Sequence, residues 1–241
     1  PEMDRFRPFL ESLGLHVIMA DVNERLSEEQ LLGYAGGFDG TICGDDRYTR
    51  QVIQACCPRL KVISKWGTGI DSIDQAAAKE LGVMIGNTPN AFTVPVSESV
   101  IGYMLAFARN IPWLDDQMKS GSWDKINGKT LSESTLGVIG VGNVGRAVLR
   151  RARAFGMTLL GNDVIEIAPD FLLEYGVAMT SLEDLLARSD FISVNCTLNP
   201  TSHHLINADS LSLCKPSAVL INTARGPVID QPALVQALQS G

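Results

Sequence analysis

The chain has 241 residues, of which 45% are hydrophobic and 20% charged, so it holds enough apolar side chain for a packed core and is not a disordered polymer. Its 20 Lys and Arg against 27 Asp and Glu leave a net charge of −7, which excludes the broad positive footprint of a nucleic-acid or anionic-membrane binder and still allows a local basic pocket. Five cysteines (Cys43, Cys56, Cys57, Cys196 and Cys214) with no CxxC spacing indicate neither a disulfide framework nor a zinc site, and a reducing cytoplasm is the expected setting.

In chain order, residues 4–13 read as a short amphipathic helix stopped by Gly14, and residues 16–20 as a strand. Ser27 and Gln30 have the spacing of a capping box and predict a helix start. A strand at 40–43 follows, then a helix over 49–57 ended by Pro58, and a strand at 60–64. Asp74 is placed to cap a helix that runs to Leu81 and stops at Gly82, and residues 83–85 form the next strand. This alternation implies a parallel sheet covered on both faces. Turn chemistry at 87–90 (Asn-Thr-Pro-Asn) marks a boundary. The apolar stretch 95–109 predicts a long helix buried on all sides, with Pro95 in its first turn and Pro112 past its end. Residues 119–130 are a polar connector before a second alternating series, and no apolar run is long enough to span a membrane.

That second series opens with an apolar strand running into GxGxxG, present as Gly140, Gly142 and Gly145, and continues as a helix to about residue 155. A strand, three glycines and a helix in this order are what a dinucleotide fingerprint requires. Gly140 permits the tight turn, Gly142 lets a pyrophosphate approach the backbone, and Gly145 lets helix and strand pack closely. Asn143, Val144 and Gly145 open the helix, so their N–H groups and the positive end of its dipole are available to the phosphates. Asp163 ends the next strand, 18 residues past Gly145, where a carboxylate hydrogen-bonds the adenosine ribose. The same charge would repel a 2′-phosphate, so the predicted cofactor is NAD rather than NADP.

Strands at 191–194 and 218–221 run into the loops 195–200 and 222–226. Ligands gather at the carboxyl ends of strands in an open α/β sheet, so Cys196, Thr197, Thr223 and Ala224 are expected to line the nicotinamide side. Arg225 stands in a glycine-bounded loop at such an end. It could clamp a carboxylate bidentately, whereas residue type alone favours an ordinary surface arginine.

The glycine loop, Asp163, the run NTARGPVID at 222–230, NTPN at 87–90, KWGTGIDSID at 65–74 and residues 198–207 together resemble the D-isomer-specific 2-hydroxyacid dehydrogenases. Within that family the likeness is greatest to the phosphoglycerate-oxidising branch, and it runs continuously from about residue 60 to 241. The resemblance implies an α/β protein of two Rossmann-like or flavodoxin-like domains with parallel sheets, joined by a long hinge helix. The substrate domain would be 1–92, lacking its first strand and its C-terminal return, and the NAD-binding Rossmann domain 93–241, truncated at its C-terminus.

The same resemblance implies hydride transfer between nicotinamide and C2 of a small 2-hydroxy or 2-oxo acid. The carboxylate would be held by N–H groups of Gly67, Thr68 and Gly69 and by Arg225, which also polarises the carbonyl. Lys65 would bind substrate where the phosphoglycerate branch usually carries an arginine, a departure that weakens the case for a phosphorylated acid. The family's acid–base histidine and its partner glutamate would lie beyond Gly241, so the chain alone is expected to bind NAD without turnover. His16, His203, His204, Glu98 and Asp230 read as non-catalytic, and no metal-ligand cluster is visible. Family members pair through the cofactor domain, which implies a homodimer in which residues 100–107 could serve. Two alternatives stay open, a glyoxylate or hydroxypyruvate reductase with no phosphate site and a non-catalytic, NAD-sensing corepressor-like protein on the same fold.

Overall fold

The structure, a computed structural model, describes residues 2–240. The chain divides into two compact units, one running to Trp66 and resuming over Ile70–Asn87, the other made of Gly67–Gly69 and the chain from Thr88 onward.

The first unit carries helices α1 (Glu2–Ser12), α2 (Glu28–Leu32), α3 (Arg50–Cys56) and α4 (Gln75–Glu80), and strands β1 (Gly40–Cys43), β2 (Val62–Lys65) and β3 (Met84–Gly86). Each of the last three helices starts on the side chain that local chemistry demands. Ser27 and Gln30 form a reciprocal capping box at α2, Thr49 caps α3, and Asp74 accepts the Ala77 N–H at 2.8 Å to cap α4. The strands form a parallel sheet in the order β1-β2-β3, with Gly40 opposite Val62 and Val62 opposite Met84. Val52, Ile53, Cys56, Leu60, Ile63, Ala77 and Ala78 make its buried core. Burial, reinforced by the nearby Asp46 charge, pushes the Cys43 thiol up to about 11, so it behaves as a small core hydrophobe. The strand predicted at 16–20 does not form. Among the described residues, 15–22 pair with no strand, and Leu15, Ile18, Met19 and Val22 are exposed; the alternating pattern alone does not make a strand without hydrogen bonds to a sheet edge.

The second unit begins with α5 (Thr93–Ala108) and α6 (Ile111–Lys119). It continues through β4 (Thr135–Ile139), α7 (Asn143–Arg153), β5 (Thr158–Asn162), α8 (Pro169–Tyr175), β6 (Val177–Met179) and α9 (Leu182–Arg188). β7 (Phe191–Val194), α10 (Ala208–Ser212), β8 (Val219–Asn222) and α11 (Gln231–Ser240) complete it. All five strands are parallel in the order β6-β5-β4-β7-β8, so the glycine loop leaves the central strand where the winding direction reverses. Apolar clusters cover both faces, with Val100, Met104, Val148 and Leu149 on one and Leu160, Leu185, Ile192 and Ile206 on the other.

One expectation for α5 is corrected. The helix is buried on one face only: Val100, Ile101, Met104 and Ala108 pack inward, while Val94, Tyr103 and Phe107 are exposed. Pro112 lies past the end of that helix as expected, and it also stands in the first turn of α6, after Asn110 turns the chain in a left-handed conformation at φ 55°. Proline is tolerated in a first turn, where its missing N–H has no helical partner to lose. No described helix is long and apolar enough to cross a membrane.

Candidate active site

The three loop glycines meet three different constraints. Gly140 turns at φ +89°, and a Cβ there would lie 2.6 Å from the Cys196 nitrogen. A Cβ on Gly145 would lie 2.0 Å from the Gly140 carbonyl oxygen, so the start of α7 is pressed against the end of β4. At Gly142 a Cβ would meet no protein atom within 4 Å. Packing therefore gives no reason for a glycine at 142. That residue is the N-cap of α7, and no side chain caps the helix. An open approach to an uncapped N-terminus of an 11-residue helix suits a phosphate. Asn143 donates its side-chain amide to Asn90, and Val144 is half-buried against the core.

Asp163 follows the end of β5 and faces the loop. Its Oδ2 accepts the Val141 N–H at 2.6 Å and its Oδ1 accepts the Ile165 N–H at 3.1 Å. These two bonds fix the carboxylate and still leave it acceptor capacity for ribose hydroxyls. The NAD-type donor and acceptor set is thus assembled around the glycine loop, which the residues fit.

Neighbouring strands bring the remaining residues to the same sheet edge. The Asn195 N–H donates to Ile139 at 2.7 Å, which seats Cys196 against Gly140. Cys196 is half-buried, and that burial raises its thiol above the ordinary range. The Thr197 carbonyl accepts the Ser202 hydroxyl at 2.7 Å, and the Thr223 hydroxyl donates to Asn195 Oδ1 at 3.2 Å. At the end of β8, Asn222 organises the arginine loop, accepting the Ala224 N–H at 3.0 Å and donating to the Arg225 carbonyl at 2.8 Å. Arg225 is extended and partly buried, and its guanidinium donates to the Ala224 carbonyl at 2.9 Å. Cys196, Thr197, Thr223, Ala224 and Arg225 therefore lie on loops from adjacent strands.

Two expected substrate contacts are changed by the geometry. The Gly67 N–H, expected to face a carboxylate, donates instead to the Thr88 hydroxyl at 3.0 Å, while the Thr88 N–H returns to the Gly67 carbonyl at 3.0 Å. The Thr68 hydroxyl also donates to the Thr88 carbonyl, at 3.3 Å. Thr88, read from sequence as part of the NTPN turn and family motif but given no role of its own, thus sets the shape of the Gly67–Gly69 segment. Lys65, expected to reach substrate, has a side chain only 2% exposed, with its ammonium donating to the Gly44 carbonyl and the Asp45 carboxylate. Neither Thr88 nor Asp45 carries a sequence signal, because both act across about twenty residues.

The histidines are not organised for acid–base work within the described residues. His16 is exposed and outside any strand. The rings of His203 and His204 stack at 3.9 Å, and His204 Nδ1 is 3.9 Å from Asp230 Oδ2, beyond hydrogen-bond range. Asp230 caps α11 through the Ala233 N–H at 3.2 Å, and Glu98 pairs with Arg151 at 3.4 Å, both structural as expected.

Residues 101–241 match the family model described as D-isomer specific 2-hydroxyacid dehydrogenase, NAD binding domain. The chain belongs to this family. The D-3-phosphoglycerate dehydrogenase of Rattus norvegicus is 37% identical over 238 residues, covering 98% of this chain but 44% of the rat protein. A hydroxypyruvate reductase of Thermotoga maritima is 37% identical over 222 residues, covering 91% of this chain and 71% of that protein. A crystal structure of the D-lactate dehydrogenase of Aquifex aeolicus, complexed with NAD and lactic acid, superposes with a TM-score of 0.88 at 30% identity, covering 98% of this chain and 71% of that one. The chain therefore spans less than half the length of the phosphoglycerate dehydrogenases it matches. Its second unit carries the family's NAD-binding domain, and NAD is its cofactor.

Proposed function

We propose that the protein transfers hydride between NAD and C2 of a D-2-hydroxy or 2-oxo acid. The observation that carries this reading is the Arg225 loop. Arg225 stands in the loop that follows β8, in the same parallel sheet as the central strand and its glycine loop, and Asn222 fixes the backbone of that loop by two hydrogen bonds, to the Ala224 N–H and the Arg225 carbonyl. Arg225 would pair with the substrate carboxylate and polarise the C2 oxygen, a positioning and electrostatic role. The turn after Gly67, shaped by Thr88, would complete the carboxylate site. NAD, when bound, supplies or accepts the hydride. Gly140, Gly142, Asn143, Val144 and Gly145 would hold its pyrophosphate and Asp163 its ribose, with Cys196, Thr197, Thr223 and Ala224 beside the nicotinamide.

The test is calorimetric titration of oxamate, a 2-oxo acid analogue, into NADH-saturated protein. Wild type should bind it, and Arg225→Gln should weaken that binding roughly tenfold to a hundredfold with NADH affinity unchanged. Equal oxamate affinity in the variant would remove Arg225 from the site. Binding of NADH without any acid would instead favour the NAD-sensing alternative.

We further infer a homodimer formed through the second unit, in a reducing cytoplasm. Supporting the first are the exposed Tyr103 and Phe107 of α5 and Ile111, Trp113 and Met118 of α6, with Phe107 and Trp113 in edge contact at 5.5 Å. The five free cysteines support the second.

A further inference from the structure

We infer that Arg146 is a positioning residue for NAD, which turns a loop N–H toward the pyrophosphate by holding the carbonyl of Val141. The inference rests on the reading above that the glycine loop holds that pyrophosphate. Arg146 follows Gly145 and lies close to the amino end of α7. A cation there opposes the helix dipole, so helix stability gives no reason for an arginine at this position. Its contacts give one. The Arg146 Nε–H donates to the Val141 carbonyl at 3.0 Å, and the guanidinium lies 5.4 Å over the ring of the buried Phe171. The ring face is a favourable seat for the cation and keeps its Nε–H on the loop.

Val141 is thereby held at three points. Its N–H goes to Asp163, its carbonyl takes the Arg146 Nε–H, and its side chain is fully buried beside Gly161, where an added Cβ would lie 3.2 Å from Val141 Cγ2. In a planar trans peptide the carbonyl and the following N–H point to opposite sides. Drawing the Val141 carbonyl onto Arg146 therefore aims the N–H of the exposed Gly142 the other way, out from the start of α7. With the peptide turned over, a carbonyl oxygen would face the phosphates in place of that donor. The role needs no contact between Arg146 and the cofactor.

Two uncharged replacements separate this role from charge or packing alone. The side-chain nitrogen of glutamine lies as many bonds from Cα as the arginine Nε, so Arg146→Gln keeps a donor for Val141, whereas Arg146→Met has a similar reach and none. Both residues are good helix formers and Arg146 is partly exposed, so both variants should fold; Arg146→Leu, also without a donor, repeats the methionine test. In calorimetric titration with NADH, Arg146→Met should lose roughly tenfold in affinity while Arg146→Gln stays within about threefold of wild type. In proton–nitrogen correlation spectra, NADH should move the Gly142 amide proton downfield in wild type and Arg146→Gln, and much less in Arg146→Met. Equal losses in the glutamine and methionine variants would reduce Arg146 to its charge, and full affinity in both would reduce it to packing; either result overturns the inference. NADH that binds wild type without moving the Gly142 amide would defeat the phosphate-loop reading itself and this inference with it, a result distinct from the other two.

Discussion

An alanine methyl at Gly145 would press to 2.0 Å on the Gly140 carbonyl, whereas at Gly142, with φ −77°, it would meet nothing and adopt an ordinary backbone conformation. The two substitutions should therefore fail in different ways. Gly145→Ala should lower stability by roughly 3 kcal/mol or more, read as a drop in melting temperature. Gly142→Ala should melt like wild type and lose about tenfold or more in NADH affinity, because the methyl stands where a phosphate must approach the α7 N-terminus. A Gly142→Ala protein with full NADH affinity would show that the open face at 142 is not the phosphate site. The glycine loop and Asp163 were legible in sequence because their spacing is local and the geometry each glycine needs is known. Thr88 and Asp45 were not. Their bonds to Gly67 and Lys65 cross 21 and 20 residues, and nothing in a threonine within NTPN or an aspartate after a strand announces the partner.

Asp190 performs a similar long-range task at the amino end of the second sheet. Its carboxylate accepts the Thr135 N–H at 2.8 Å and the Lys215 ammonium at 3.0 Å, and its own backbone bonds to both Thr135 and Val219, tying β4, β7 and β8 together where they begin. Burial opposes the charge, yet those hydrogen bonds hold the carboxyl below the usual carboxylate range. A depressed folded pKa adds stability above the unfolded value of about 4, and that stability is lost as pH falls through the lower folded value. Asp190→Ala should therefore cost roughly 2 kcal/mol at pH 7, with the gap to wild type closing below about pH 4 in denaturant melts. NADH affinity should stay unchanged, since the stapled ends are opposite the binding edge. A gap constant down to pH 2 would show that the carboxylate charge contributes nothing. Elements whose ends are written in local capping chemistry, α2, α3 and α4, were legible in the sequence. The absent strand at 16–20 and the unforeseen α6 were not, because pairing depends on a distant edge and proline suits a helix start as well as a stop.

At the level of the molecule, hydrophobic residues around 95–109 were numerous enough to suggest burial on every side, but composition cannot distinguish a core face from an interface. Tyr103 at 52% and Phe107 at 48% exposure leave one face of α5 open, and Trp113 of α6 extends it. Sedimentation equilibrium at micromolar concentration should give twice the chain mass, and the pair Phe107→Glu and Trp113→Glu should give a monomer with unchanged circular dichroism. A wild-type monomer would overturn the dimer, and a variant that remains paired would place the interface elsewhere. The net charge of −7 does not oppose this pairing, because the face is apolar and short-range contact outweighs a charge spread over the whole surface.

The bond between Asp163 and the Val141 N–H joins two tasks that are usually treated as separable. The carboxylate expected to discriminate between dinucleotides also serves as a buttress for the loop that grips them. Redesigning the protein to accept a 2′-phosphorylated cofactor by replacing Asp163 with a small neutral residue would loosen that buttress as it removed the repulsion. A compensating acceptor for Val141 would have to be introduced with the new cation, so a successful exchange requires coupled substitutions from the outset.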